Sequence, residues 1–292
     1  MSQPVILVTG ANGQVGQELR VLSASYPAFT FVFTDADSMP VNKEEVVQQM
    51  FAAHRPAYCI NCAAYTAVDK AETEQELAFA VNAEGVRILA AACKNYNTRF
   101  IHISTDYVFN GQSPTPYKED APTGPENVYG VTKLKGEQLC REVNPESVII
   151  RTAWVYSSFG KNFVKTMMKL MQERPAISVV NDQVGAPTYA ADLAACMMQI
   201  VANTNTSAAN WHPGMYHYSN QGRISWFDFA VGIKELTGST CTVNPIPSKQ
   251  FPTPAKRPSF SLLDTSKIRQ TFNIAIPEWK ESLKKCVALL KG

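Results

Sequence analysis

The chain has 292 residues, 45% of them hydrophobic, and a formal charge of +2. That is enough apolar material for one large α/β domain with a smaller second region. It is too little charge for a long-range field directed at nucleic acid or membranes. No uninterrupted apolar run reaches the ~20 residues of a membrane span. The start, MSQPVILVTGANG, has neither the basic n-region nor the long apolar stretch of a signal peptide, so a cytoplasmic protein is expected. Seven scattered cysteines fit a reducing compartment. Cys59 and Cys62 form a C-x-x-C, but within YCINCAAY, which reads as a strand, an odd offset sends the two side chains to opposite faces. The four histidines have no metal-ligand spacing, and no metal is expected.

In chain order, PVILVTG is an apolar strand ending in glycine, and GQVGQELRVLSASY has helical periodicity. FTFVFTD is a second strand, followed by a helix through KEEVVQQMFAAHR. AYCINCAAY is a third, and one long helix is expected over ELAFAVNAEGVRILAAACKNY. RFIHIST is the fourth strand, a helix contains YGVTKLKGEQLCREV, and SVIIRTAWVY is the fifth. Near-uniformly apolar strands alternating with helices predict a doubly wound parallel sheet covered on both faces. Beyond Trp154 the alternation loosens. KNFVKTMMKLMQE and AADLAACMMQIVANT read as helices, AISVVND as a short strand, and GMYHYS as a candidate last strand of the main sheet. After a Pro-rich stretch the chain ends in an amphipathic helix, PEWKESLKKCVALLK.

The first strand ends in Gly10-Ala11-Asn12-Gly13-Gln14-Val15-Gly16, a G-x-x-G-x-x-G that follows a strand and opens a helix. In that context glycines let backbone approach a pyrophosphate held at the positive end of the helix, so Gly10, Gly13, Gln14, Val15 and Gly16 are candidate dinucleotide contacts. Asp35 ends the second strand, where an acid accepts hydrogen bonds from the adenosine ribose and disfavours a 2′-phosphate. That leans towards NADH, but Asp37 follows closely, so both NADPH and NADH stay open. Ala63, Ala64, Tyr65 and Thr66 would run beside the cofactor. The fourth strand delivers Ser104-Thr105-Asp106 at its carboxyl end, the edge where open α/β sheets bind ligands. Tyr129 lies 24 residues beyond Thr105, and Lys133 stands one helical turn later. A lysine beside a phenol favours the phenolate, so Lys133 is expected to lower the Tyr129 pKa and ready it to protonate a carbonyl oxygen. Residues 1–151 are thus expected to form an NAD(P)-binding Rossmann-type domain with a returning segment near 181–218. Residues 152–292 are expected to form mainly a smaller, interleaved substrate-binding region.

The motifs GANGQVGQEL, NCAAYTAVDKAE, ISTDYVFNG, VYGVTKLKGE, RTAWVYSSFGKNFVKTM, NDQVGAPTYAADLA and FPTPAKRP carry a resemblance over nearly the full length. The chain resembles the extended short-chain dehydrogenases/reductases and, within them, the dTDP-4-dehydrorhamnose reductase family. The resemblance implies reduction of the C4 keto group of a dTDP-linked 4-dehydrorhamnose. It also implies catalytic roles for Thr105, Tyr129 and Lys133, and sugar contacts from Asp106, Tyr129 and Trp154. A small nucleotide-sugar substrate is the expected partner, with a monomer or homodimer as the assembly. Lys256 and Arg257 are equally readable as phosphate partners or as a solvated pair. Two departures stand out: DADSMPVN after the second strand, and Ala191 where some members have an acid linked to an interface metal. Related 4,6-dehydratases should carry Thr-Asp-Glu at the fourth strand, and this chain has Tyr107 in the third position. A non-catalytic relative, the regulatory subunit of methionine adenosyltransferase, is the other alternative. The intact Thr105/Tyr129/Lys133 set favours an enzyme.

Overall fold

The computed structural model describes residues 3–291. Val5–Thr9 (β1) leads into Gln14–Ser23 (α1), and Thr30–Phe33 (β2) into Glu44–His54 (α2). Tyr58–Asn61 (β3) leads into the short helices Val68–Ala71 (α3) and Gln75–Phe79 (α4). A π-helical turn, Ala80–Glu84, joins α4 to Gly85–Asn95 (α5), so the single long helix expected here carries a bulge around Asn82. Arg99–Thr105 (β4), Val128–Val143 (α6) and Val148–Thr152 (β5) complete the alternating run.

The predicted fifth strand divides at Trp154. Its φ of +50° turns the chain sharply between β5 and Val155–Tyr156 (β6). Phe163–Glu173 (α7), Ala176–Val180 (β7), Val184–Gly185 (β8), Thr188–Tyr189 (β9) and Ala190–Thr206 (α8) follow. Then come Gly214–Tyr218 (β10), Ile224–Ser225 (β11), Trp226–Thr237 (α9), Thr242–Ile246 (β12), Ser266–Phe272 (α10) and Trp279–Lys291 (α11).

Six strands form the main sheet in the order β10-β5-β4-β3-β1-β2, and every neighbouring pair is parallel. GMYHYS does supply the last strand, with Gly214 opposite Val148. Ile6, Leu7 and Val8 are all fully buried. Ile6 and Val8 face a core shared with α1, α8 and α10, whereas Leu7 faces one shared with α2 and α5. Each such aliphatic side chain contributes about 1.5–3 kcal/mol on burial, which is why the strand is apolar at successive positions rather than alternating. A third core around Tyr156, Phe229 and Trp279 joins α7, α9 and α11, beside the small parallel pair β7–β12. Strand order reverses between β1 and β3, which opens a crevice at the carboxyl ends of the strands. Among the described residues no helix is long and apolar enough to cross a membrane.

Candidate active site

A cavity of about 910 Å³ occupies that crevice. Its wall takes in Gly10, Gly13, Gln14, Val15, Asp35 and the run Ala63–Thr66, and with them Thr105, Asp106, Tyr129, Lys133 and Trp154. Gly16 is not on the wall. A Cβ there would meet Gly10 O at 2.5 Å, so its small size seats α1 on the turn instead. Gly10 has φ +64°, and a Cβ on it would lie 2.5 Å from Ala63 N, a fit that only glycine allows. The N-terminus of α1 has no side-chain cap and no acid in its first turn, which leaves backbone N–H groups and the positive dipole end for an anion. Lys161 also lines the cavity, on a loop tied to α1 by Asn162 Nδ2 donating to Gln14 Oε1 at 2.9 Å. The residues present therefore fit a dinucleotide pyrophosphate. Lys161 carried no local signal in the sequence, since only the closure of the chain brings it to the glycine turn.

Asp35 sits where expected, but its carboxylate is already engaged. Oδ1 accepts from Ser38 N, Ser38 Oγ and Asp37 N at 2.9, 2.8 and 3.2 Å, and Oδ2 accepts from Asn12 Nδ2 at 2.6 Å. These bonds hold its pKa below the usual carboxylate value and keep it charged. Asp37 lines the same end of the cavity. The Ala63–Thr66 run is fixed by a residue that the sequence did not single out. Buried Asn82, in the π-turn, accepts from Tyr65 N at 2.8 Å. Its Nδ2 donates to Tyr65 O at 3.0 Å and to Thr132 Oγ1 at 3.1 Å. One amide therefore ties the cofactor-side loop to α6.

The start of α6 is set by two side-chain acceptors, Asn127 for Gly130 N and Glu72 for Val128 N, at 2.8 and 2.9 Å. Tyr129 packs edge-on to Tyr107 with ring centroids 5.5 Å apart. Thr105 Oγ1 donates to Asp106 Oδ1 at 3.0 Å and accepts from Tyr107 N at 3.2 Å. Burial raises Asp106 to about 6, against the hydroxyls of Ser261 and Thr105. Lys133 is 2% exposed, and its Nζ donates to Ile103 O at 2.7 Å. The expected lowering of the Tyr129 pKa is absent. Burial pushes the phenol up to about 12, and Asp106 adds to the rise while Thr105 opposes it. Lys133 does not offset this rise: its ammonium turns to the backbone carbonyl of Ile103 on β4. Burial also pulls Lys133 down to about 8. Tyr129 is thus a protonated acid at neutral pH.

Residues 4–291 match the family described as RmlD substrate binding domain. The chain is 38% identical over 285 residues to the dTDP-4-dehydrorhamnose reductase of Aggregatibacter actinomycetemcomitans, an alignment covering 96% of this chain and 97% of that one. The chain belongs to the dTDP-4-dehydrorhamnose reductase family. A crystal structure of a dTDP-4-dehydrorhamnose reductase from Clostridium acetobutylicum superposes with a TM-score of 0.92 at 39% identity, covering 99% of this chain and 100% of that chain. One from Bacillus anthracis, solved in complex with NADP, gives 0.92 at 36% identity, covering 98% and 99%.

In this member of the dTDP-4-dehydrorhamnose reductase family, Trp154 projects from its left-handed turn to stack on Trp226, with ring centroids 3.8 Å apart and planes 15° from parallel. A bulky residue at positive φ is strained, and such strain concentrates at binding sites. Lys256 pairs with Glu126 and is exposed. Arg257 differs. Nη2 donates to Asp69 Oδ2 at 2.8 Å, the guanidinium lies 6.0 Å from the Tyr107 ring centroid, and Nη1 is buried without a partner. Among the described residues no three His, Cys, Asp or Glu side chains are grouped as a metal site requires.

Proposed function

We propose that the protein reduces the C4 keto group of dTDP-4-dehydro-β-L-rhamnose to give dTDP-L-rhamnose, as an NAD(P)H-dependent oxidoreductase of the cytoplasm. The observation that supports this best is the convergence on one cavity of the glycine turn, the Thr105 strand end and the Tyr129/Lys133 helix. Bound in that cavity, NADPH or NADH supplies a hydride to C4 of the sugar. Tyr129 gives its phenolic proton to the carbonyl oxygen as general acid. Thr105, releasing Asp106 Oδ1, turns its one hydroxyl proton to the same oxygen as charge develops, a contact of about 3 kcal/mol when well aligned. Lys133 stabilises the phenolate left on Tyr129 and binds the nicotinamide ribose, and Lys161 meets the pyrophosphate. Asp35 and Asp37, both on the cavity wall, favour NADH over NADPH by disfavouring a 2′-phosphate. Asp106 and Trp154 contact the sugar. The unpartnered Nη1 of Arg257 suits a diphosphate oxygen. Residues 1–151 with the returning segment near 181–218 carry the dinucleotide, residues 152–292 mainly the sugar, in a monomer or homodimer. The test is a panel of dTDP-, UDP- and GDP-linked 4-keto sugars followed by NAD(P)H absorbance. Turnover should be fastest with the dTDP sugar; equal rates with all three nucleotides would remove the thymidine assignment.

A further inference from the structure

A belt of polar side chains lies buried on the α5/α6 face of the sheet. Thr9, Asn61, His102, Arg151 and His217 are each two residues beyond a member of the apolar cluster on that face, so they share its side, and all are at most 4% exposed. Thr9 Oγ1 donates to Asn61 Oδ1 at 2.6 Å, and Asn61 Nδ2 meets His102 Nδ1 at 2.9 Å. Burial keeps both histidines neutral, His102 held well below its usual value and His217 down to about 3. The belt and the facing side of α6 therefore hold two cations, Lys133 and Arg151, and one carboxylate, Glu137. Glu137 stands one turn after Lys133 and is 2% exposed. It accepts from Arg151 Nε at 2.9 Å and Nη2 at 2.7 Å.

The geometry assigns Glu137 a positioning role in the reaction: clamped by Arg151, its carboxylate keeps Lys133 in the ammonium form beside the dinucleotide wall. The assignment rests on the reading of Lys133 as a dinucleotide-binding residue. The hydrogen bond to Ile103 O satisfies one N–H of Lys133 but brings no counter-charge. Glu137 is the chief influence opposing the downward pull of burial on Lys133, followed by Cys62. The titratable groups coupled to Lys133 are Glu137 on α6, Cys62 after β3 and His102 on β4; Tyr129, beside Asp106, stands one turn before it on α6, and Arg151 on β5 binds Glu137. The buried titratable group of α5 is Cys93, which faces Cys59 and Cys140. Glu72, just past α3, accepts from Val128 N in the first turn of α6. Burial holds Cys62 as a neutral thiol. Over neutral and alkaline pH Glu137 is therefore the charged group that opposes the effect of burial on Lys133, and Arg151, bound to its carboxylate, is the nearby competing cation.

The test is NADH binding, followed by fluorescence from pH 6 to 10, in the wild type and in K133M, E137Q and R151M. Wild-type affinity should fall as pH rises through about 8, where Lys133 loses its proton. K133M should bind weakly and without that limb; a retained limb overturns the assignment. E137Q should move the midpoint down by about one pH unit. R151M keeps the Glu137 carboxylate and removes the competing cation, so its midpoint should move up. Both variants break the same ion pair, and a merely structural role would move both midpoints together or not at all, which overturns the proposal. If E137Q does not fold, R151M decides alone: an upward shift supports the assignment and any other result overturns it. The readout needs no sugar, so a wild type that binds NADH without reducing any keto sugar overturns the proposed function alone. A wild type that binds no dinucleotide overturns both.

Discussion

Replacing Asp106 with Asn should make the folded protein more stable while loosening its hold on the sugar. Asp106 is 2% exposed, and burial raises it from 3.8 to about 6. At about 1.36 kcal/mol per pH unit, its charged form costs the native state about 3 kcal/mol at pH 7.5. The sign follows from the raised pKa: the cost is absent below pH ~3.8, grows as pH rises, and is complete above pH ~6. An amide Oδ1 still accepts from Thr105, but its NH₂ takes the place of Oδ2, which is buried and without a partner. An unmet donor there costs about 1 kcal/mol. The net gain is then about 2 kcal/mol at pH 7.5 and under about 1 kcal/mol at pH 5.0, because less of Asp106 is ionised at the lower pH. Urea unfolding of both proteins at the two pH values measures this, with a Tm rise of about 3 °C at pH 7.5 as a second readout. A variant less stable at pH 7.5, or equally stabilised at both pH values, would refute the reasoning. The KM for the keto sugar should rise in the same variant, since stability and binding pull against each other at this carboxylate.

Tyr129→Phe should retain NADH binding and lower turnover by at least ~100-fold, the scale of a lost general acid; near-normal kcat would take the proton from another donor. Asp35→Ala should raise the NADPH/NADH ratio of kcat/KM by removing a charge that repels a 2′-phosphate. An unchanged ratio would move that role to Asp37. Arg257→Met should raise the KM for the sugar nucleotide with little change in kcat, measured by steady-state kinetics, because it removes binding remote from the reacting carbon. Activity should survive EDTA, since no step proposed here draws on a metal; loss in EDTA with rescue by magnesium would contradict that.

The strand run of the first half was legible because buried parallel strands must be apolar at successive positions. Val5–Thr9 and Val148–Thr152 show that pattern in any window containing them. The glycine turn and the four-residue spacing of Tyr129 and Lys133 were legible for the same reason: each is a property of a few consecutive residues. The cavity wall indeed includes both, with Gly16 displaced from contact to packing. The break at Trp154 was not legible. Its left-handed turn is held by stacking on Trp226, 72 positions away, and nothing local in TAWVY favours it.

The sequence by itself determined the alternation of elements, the edge of the sheet where ligands bind and the family, since periodicity, turn chemistry and motif order are local. The tertiary structure alone decided which polar groups meet. Asn82 joins Tyr65 to Thr132 across separations of 17 and 50 residues. Arg151 reaches back to Glu137 from another element, and Arg257 crosses 188 residues to Asp69. It also reversed the expected shift at Tyr129, because spacing can put a lysine beside a phenol but cannot say how much water the fold leaves around either. Desolvation depends on every atom that packs nearby, and most of those atoms come from distant parts of the chain.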